Sequence, residues 1–387
     1  MNLQLLRASV AMLLATLAMP GGAVRAQSLL VVNGTNDPSQ GSLLQYDQST
    51  GQPIGGGTLV PAGAGGLNDP TALAIGPGGN LFVANGFDSS ILEFNAQGAF
   101  QGAFVSGGSG GLSNPTSLAF GPDGNLYVAS NGTSSVIEYS GATGAYVQTL
   151  GTIPGAGGLS NPEGLTFYGG NLYVASQGNN AVLQYSFATG QYSTFVQSGA
   201  GGLSLPTGLA FGSDGNLYVA SEGSSSILSY FGTTGFFDQT FVSSGFGGLS
   251  TPTALAIEAD GTLLVASGSV AGANGAILDY GSGGNFLGTL VPYGSGGLVA
   301  PLDLAITAVP EPGSLTLSLI AVAIAGTARA STTRRRRAKC RTAATGTTAA
   351  AGAAPTRAIE VVMMALITQA PRRKGRLNYD FHQNASI

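Results

Sequence analysis

Residues 27–308 of this 387-residue chain contain no lysine, arginine or histidine. The chain has 14 Lys and Arg residues in all, but every one lies before residue 26 or after residue 328. Fifteen of the 18 acidic residues lie within 27–308, so this region has a formal charge of −15. Nucleic-acid binding needs cations that displace counterions from phosphates. We therefore expect no nucleic-acid partner.

The same absence excludes most familiar catalytic groups. A Ser–His–Asp triad needs histidine and a Schiff base needs lysine, while anionic substrates usually meet Arg or Lys clamps. The single cysteine, Cys340, lies outside 27–308, so this region can form neither an internal disulfide nor a thiolate metal site. We predict no catalytic residue. Carboxylate–metal chemistry remains open, as does binding through hydroxyl, amide and aromatic groups.

The first 26 residues have the pattern of a secretory signal peptide. Arg7 precedes an apolar core, Val10–Met19. We expect the cut after Ala26, because Val24 and Ala26 place a β-branched and a small residue at the two positions that a signal peptidase recognises. The alternative is an N-terminal anchor helix. A core of about ten residues is too short to span a bilayer at 1.5 Å per residue, so we expect cleavage and export.

Residues 309–337 carry three features in order: a proline-bracketed motif, an apolar segment and an arginine cluster. The motif is Val309, Pro310, Glu311 and Pro312, the segment is Leu315–Ala328, and the cluster is Arg334, Arg335, Arg336 and Arg337. An ordinary stop-transfer helix with a basic cytoplasmic flank would also show this order. Both interpretations predict export and membrane attachment.

This arrangement resembles the PEP-CTERM sorting domain of Gram-negative bacteria. The resemblance implies transient insertion into the inner membrane, recognition by an exosortase, which is a membrane-embedded protease, and delivery to the cell surface or the exopolysaccharide matrix of a biofilm. The apolar segment is short for that family. Residues 338–387, which follow the arginine cluster, form a basic low-complexity tail for which the sequence predicts no function.

One phrase recurs through the middle of the chain at a nearly constant period. Copies of Gly-Gly-Leu-x-x-Pro end at prolines that are 45, 47, 44, 46 and 49 residues apart. These prolines are Pro70, Pro115, Pro162, Pro206, Pro252 and Pro301. Within each unit, short apolar segments alternate with Gly-rich turns, which indicates four strands. Four strands in a unit of this length are typical of a propeller blade.

The second unit shows the pattern clearly. We predict its strands over Ser117–Phe120, Leu126–Ala129, Ser135–Tyr139 and Tyr146–Leu150. In the first of them, Leu118 and Phe120 point to one face of the sheet and Ala119 points to the other. Stacked blades need two apolar faces, and a large face set against a small one lets neighbouring blades interdigitate.

The ends of the repeat array predict how the ring closes. Three strands precede the first complete unit and one follows the last, and we predict them over Leu29–Val32, Leu43–Tyr46, Thr58–Val60 and Leu302–Thr307. Together they complete a sixth blade and leave no exposed sheet edge. The prediction is an all-β, six-bladed β-propeller over residues 27–308, with a three-plus-one closure. A signal peptide and a C-terminal sorting helix flank it.

The repeats resemble NHL-type and gluconolactonase-type propellers, most clearly at Pro206–Phe211 and Gly215–Ala220. In gluconolactonase-like propellers, acidic and amide side chains hold a divalent cation at one mouth of the central channel. Three carboxylates of this chain break the repeat and are candidate ligands: Glu163, Asp303 and Glu222. Oxygen ligands of this kind would suit Ca²⁺.

These three carboxylates also have a simpler interpretation as solvated loop or channel residues. Glu163 stands where four other units have threonine, and Asp303 stands where the other units have small residues. Because the two positions differ by one in repeat register, we expect their side chains to face differently.

Two functions remain in view. The first is an exported, exosortase-sorted surface or matrix propeller that binds an exopolysaccharide or a surface protein, performs no catalysis and requires no cofactor. The alternative is a metal-dependent hydrolase or lactonase that uses the channel carboxylates and Ca²⁺. The fold by itself does not choose between them.

Overall fold

The computed structural model describes residues 27–34, 40–150, 158–268 and 275–307. These residues form 24 strands in six four-stranded antiparallel sheets, which are the six blades. The cleavage site at Ala26, the motif Val309–Pro312, the cluster Arg334–Arg337 and the tail 338–387 lie outside the described residues. Within those ranges no helix is long and apolar enough to span a bilayer.

Each blade is described from its innermost strand outward, and the blades are numbered in chain order. Blade 1 consists of β24 (Ala300–Ile306), β1 (Ser28–Gly34), β2 (Ser42–Asp47) and β3 (Pro53–Val60). Blade 2 consists of β4 (Pro70–Ile75), β5 (Leu81–Asn85), β6 (Ser90–Phe94) and β7 (Phe100–Val105). Blade 3 consists of β8 (Pro115–Phe120), β9 (Leu126–Ser130), β10 (Ser135–Tyr139) and β11 (Tyr146–Leu150).

The remaining three blades repeat this plan. Blade 4 consists of β12 (Pro162–Tyr168), β13 (Asn171–Ser176), β14 (Ala181–Ser186) and β15 (Gln191–Val196). Blade 5 consists of β16 (Pro206–Phe211), β17 (Leu217–Ser221), β18 (Ser226–Tyr230) and β19 (Phe237–Val242). Blade 6 consists of β20 (Ala254–Ile257), β21 (Leu263–Ser267), β22 (Ala276–Tyr280) and β23 (Phe286–Val291).

The three-plus-one closure is confirmed. Strand β24 pairs antiparallel with β1, with Leu304 opposite Val31, so the last described strand completes the blade that the first three begin. The predicted bounds of β10 and β11 agree with the structure. Strand β8 starts earlier than predicted because the repeat proline, Pro115, already pairs with Ser130.

The core lies between the blades, where a small face meets a large one as predicted. Ala72 and Ala74 of blade 2 pack against Leu118 and Phe120 of blade 3, in a cluster that also buries Tyr139. Equivalent clusters occur at each of the other blade interfaces. Fully burying one such large side chain contributes about 1.5–3 kcal/mol, so stacking of the blades is the main source of stability.

The recurrent Gly-Gly-Leu-x-x-Pro phrase connects one blade to the next. In the copy that enters blade 5, Gly201 has a φ of 67°, and the Phe237 ring occupies the space that a Cβ would need. Leu203 is buried beneath this turn. The Ser221 hydroxyl accepts from the Ser204 amide at 3.0 Å and donates to the Ser204 carbonyl at 3.1 Å. The phrase therefore recurs because it forms the turn between blades and is held against the sheet by hydrogen bonds.

Where the ring closes, Asn33 takes the place of Ser221 and holds the Gly-Gly-Leu-x-x-Pro phrase that enters blade 1. At the end of β1, its Oδ1 accepts from the amides of Val299 at 2.8 Å and Ala300 at 3.2 Å. Its Nδ2 donates to the Gly297 carbonyl at 3.2 Å and to Ser42 Oγ at 3.4 Å. One buried amide thus fastens the segment that leads into β24 to the first strand of the chain.

Candidate functional site in the central channel

The six innermost strands surround a cavity of about 430 Å³ on the ring axis. Its deeper wall is a ring of one leucine from each blade: Leu73, Leu118, Leu165, Leu209, Leu255 and Leu304. These side chains are buried between the blades and show only an edge to the cavity. The channel wall therefore adds a little apolar surface to its polar groups.

Threonine hydroxyls nearer the mouth link neighbouring blades. Each Oγ1 donates to the carbonyl of the next repeat proline: Thr71 to Pro115 at 2.6 Å, Thr116 to Pro162 at 2.8 Å, Thr207 to Pro252 at 3.0 Å and Thr253 to Pro301 at 3.0 Å. Such a bond contributes about 1 kcal/mol. The recurrence of threonine after the proline thus has a structural cause.

Glu163 interrupts this series of hydroxyls. It lines the cavity, and its Oε1 accepts a hydrogen bond from Asn131 Nδ2 at 2.8 Å. Burial raises the pKa of Glu163 to about 7, repulsion from Glu222 adds to the rise, and the Asn131 hydrogen bond opposes it. The structure thus places Glu163 and Glu222 close together at one mouth.

Glu222 begins the 3₁₀ turn that follows β17 and lines the same cavity. Gln177 of the preceding blade donates from Nε2 to Glu222 Oε2 at 3.5 Å, and burial raises the pKa of Glu222. Asn131 and Gln177 occupy the repeat position that Glu222 occupies in blade 5. The mouth therefore holds two carboxylates, each facing an amide from the blade before it.

Asp303 has a different role although it lines the same cavity. Its Oδ2 accepts from the Leu73 amide of the next blade at 2.8 Å, and its Oδ1 accepts from the Leu304 amide at 2.8 Å. Burial raises its pKa to about 6, and these two hydrogen bonds oppose the rise. Ser117 makes the equivalent contact with the Leu165 amide at 3.2 Å. Asp303 thus joins blades 1 and 2 through its two carboxylate oxygens.

The mouth fits Ca²⁺ only in part. Over the ranges that the structure describes, no three His, Cys, Asp or Glu residues are placed to hold one metal ion. Calcium prefers six to eight oxygen ligands, whereas Asn131 and Gln177 present nitrogen atoms to the two carboxylates. Both amides would have to rotate before Glu163, Glu222, Asn131 and Gln177 offered oxygens to one ion.

No family model matches the sequence, and no curated protein matches it either. Among solved structures, a chain of a nidogen/laminin complex aligns at 14% identity with a TM-score of 0.57, covering 73% of this chain and 98% of that one. A protein of unknown function from Bacteroides caccae aligns at 14% with a TM-score of 0.53, covering 73% and 100%.

A third solved structure, virginiamycin B lyase from Staphylococcus aureus, aligns at 14% identity with a TM-score of 0.43, covering 73% of this chain and 75% of that one. The first two structures share the overall fold with this chain. At such low identity, the likeness establishes a six-bladed β-propeller and leaves the function to the chemistry of the site.

Proposed function

We propose that this chain is exported and acts at the cell surface or in the extracellular matrix as a non-catalytic binding or structural module. The observation that supports this most strongly is the distribution of charge. The propeller region has no cation, and every cation lies in the N-terminal signal or beyond residue 328. Strand β24 ends at Ile306, so cleavage near Pro312 would leave the ring intact and remove all remaining cations.

The charge also limits the ligand. Fifteen carboxylates without a counter-charge repel anionic polymers, and Glu163 and Glu222 at the channel mouth repel anionic small molecules. The ligand is therefore neutral or cationic, such as a neutral exopolysaccharide or a basic surface protein. One of the propellers with a similar fold comes from a protein–protein complex, which agrees with a binding role.

Sorting by an exosortase-like protease makes a testable prediction. Replacing Pro310 and Pro312 together with alanine should prevent processing, so the protein should accumulate in the membrane fraction and its surface and extracellular share should fall severalfold. Immunoblotting of cell fractions measures this. The matched control is Pro355→Ala in the tail, which should leave the distribution unchanged. An unchanged distribution for the double variant would refute exosortase-like sorting.

A calcium-dependent hydrolase or lactonase is the second candidate, because Glu163 and Glu222 share the channel mouth. Glu163, Glu222, Asn131 and Gln177 would hold the ion, and a bound Ca²⁺ would supply Lewis acidity toward a substrate carbonyl. This candidate predicts that Ca²⁺ raises the melting temperature of the purified protein saturably and that Glu163→Gln abolishes the rise. The absence of any shift with millimolar Ca²⁺ would exclude it.

A further inference from the structure

The central cavity is lined by two carboxylates at its mouth and by the edges of six leucines. Glu163 and Glu222 line the mouth and the six leucines line the deeper wall. Because residues 27–308 contain no Lys, Arg or His, no side chain of the described propeller can neutralise these two carboxylates. A counter-charge that approaches them has to come from outside the propeller.

We propose that the channel binds an aliphatic primary ammonium group, with the ammonium between Glu163 and Glu222 and its carbon chain against the leucine ring. This inference rests on the proposed binding function and names the ligand class of its channel. An ammonium carries three donors and no acceptor, so it matches a site whose charged groups are all acceptors. The leucine edges exposed in the channel then bury the methylene groups.

The amides at the mouth favour an ammonium over a metal ion. Asn131 directs its nitrogen to Glu163 Oε1 at 2.8 Å, and Gln177 directs its nitrogen to Glu222. Within the described residues, the Asn131 contact is the only hydrogen bond to Glu163, and it leaves Oε2 for a ligand donor. The amides thus hold the carboxylates in place without supplying the oxygens that a metal ion would need.

The position of Glu163 costs the fold a stabilising contact, which supports a role in binding. Four of the other five blades use a threonine at this position to donate to the next proline carbonyl. Glu163 replaces that donor with a largely buried carboxylate, which accepts a hydrogen bond from Asn131. Departures from a locally consistent pattern are expected at functional sites, and this one lies at the channel mouth.

An ammonium of this class has two possible sources: a free amine, or a lysine side chain of a partner protein. Hexylamine represents the first, and Nα-acetyl-lysine methylamide, in which only the side-chain ammonium is charged, represents the second. 1-Hexanol and hexanoate are the neutral and anionic counterparts of hexylamine. Propylamine has the same charge with a shorter chain and tests the contribution of the leucine ring.

Titration calorimetry on the purified full-length protein at pH 8 tests the inference. Hexylamine should bind saturably, 1-hexanol and hexanoate should give no saturable binding, and propylamine should bind about tenfold more weakly or worse. Glu163→Gln and Glu222→Gln should each weaken hexylamine binding by about tenfold or more. Glu258→Gln removes one charge outside the channel and should bind hexylamine like the unmodified protein.

Several results would overturn the inference: equal binding of hexylamine and 1-hexanol, unchanged binding by the Glu163 and Glu222 variants, or saturable binding of Ca²⁺ without any amine binding. Binding of hexylamine alone would identify free amines as the ligand source, and equal binding of the lysine derivative would identify a lysine-bearing partner. If the protein is found at the cell surface but binds no amine, this inference alone is refuted. A protein that stays in the cytoplasm refutes the proposed function instead.

Discussion

Replacing Asn33 with alanine should destabilise the propeller by about 3 kcal/mol, because it removes the side chain that closes the ring. Asn33 is 3% exposed, and its loss leaves the Val299 and Ala300 amides and the Gly297 carbonyl without their partner. Each orphaned buried group costs about 1–3 kcal/mol. The melting temperature should fall by roughly 6 °C, measured by circular dichroism or calorimetry.

Two variants control this prediction. Asn85 occupies the same repeat position in blade 2 and makes comparable bonds to Asn68 and Gly66, but the chain is continuous through that blade. Asn85→Ala should therefore cost less than Asn33→Ala. Asn33→Ser should be milder still, since serine fastens the equivalent loops in blades 3–6. If Asn85→Ala lowers the melting temperature more than Asn33→Ala does, ring closure does not depend on Asn33 as we infer.

Replacing Glu163 with glutamine should stabilise the protein at pH 8 and have little effect near pH 4.5. Burial, together with repulsion from Glu222, raises the pKa of Glu163 from 4.5 to about 7. The folded protein therefore holds this proton more tightly than the unfolded chain does. The contribution of Glu163 to stability is full below about pH 4.5 and is lost as the pH rises through about 7.

The size of the effect follows from the shift. A rise from 4.5 to about 7 would correspond to roughly 3 kcal/mol, and contact of the side chain with water in the channel reduces this to on the order of 2 kcal/mol. Melting temperatures measured from pH 4.5 to pH 8 should therefore diverge between the unmodified protein and Glu163→Gln. Glutamine keeps an oxygen that can accept from Asn131.

Two further variants sharpen this experiment. Glu163→Thr should stabilise the protein at least as much at pH 8, because it restores the hydroxyl that other blades donate to the next proline carbonyl. Glu258→Gln controls for the removal of one negative charge outside the channel. If Glu163→Gln melts at the same temperature as the unmodified protein across the whole pH range, folding does not raise the pKa of Glu163.

The repeat made most of the fold predictable. The spacing of the prolines, the alternation of large and small residues in the first strand, and the incomplete units at both ends together predicted the blade count and the closure. These features are local in sequence, and the face that each side chain takes follows from the two-residue period of a strand. The bounds of several strands were less accurate: β8 starts at Pro115 because the repeat proline joins the sheet, and β3 starts at Pro53 where the prediction began at Thr58.

The candidate site was less predictable, because its geometry depends on contacts between blades. The recurrent threonine was visible in the sequence, but its bond to the next proline carbonyl requires the distance between neighbouring blades. Asp303 was a candidate ligand because it is a carboxylate in a position of small residues. Its oxygens instead accept hydrogen bonds from backbone amides of blades 1 and 2. Asn131 and Gln177 share a repeat position with Glu222, and that register was the signal that could have identified them.

The intact mass of the protein recovered from the cell surface shows whether both ends of the chain are removed during export. We expect a species that begins at Gln27 and ends near Pro312, so that the mature protein keeps the whole ring and none of the 14 Lys and Arg residues. A surface species that retains residues 338–387, or a full-length chain found only in the cytoplasm, would contradict it.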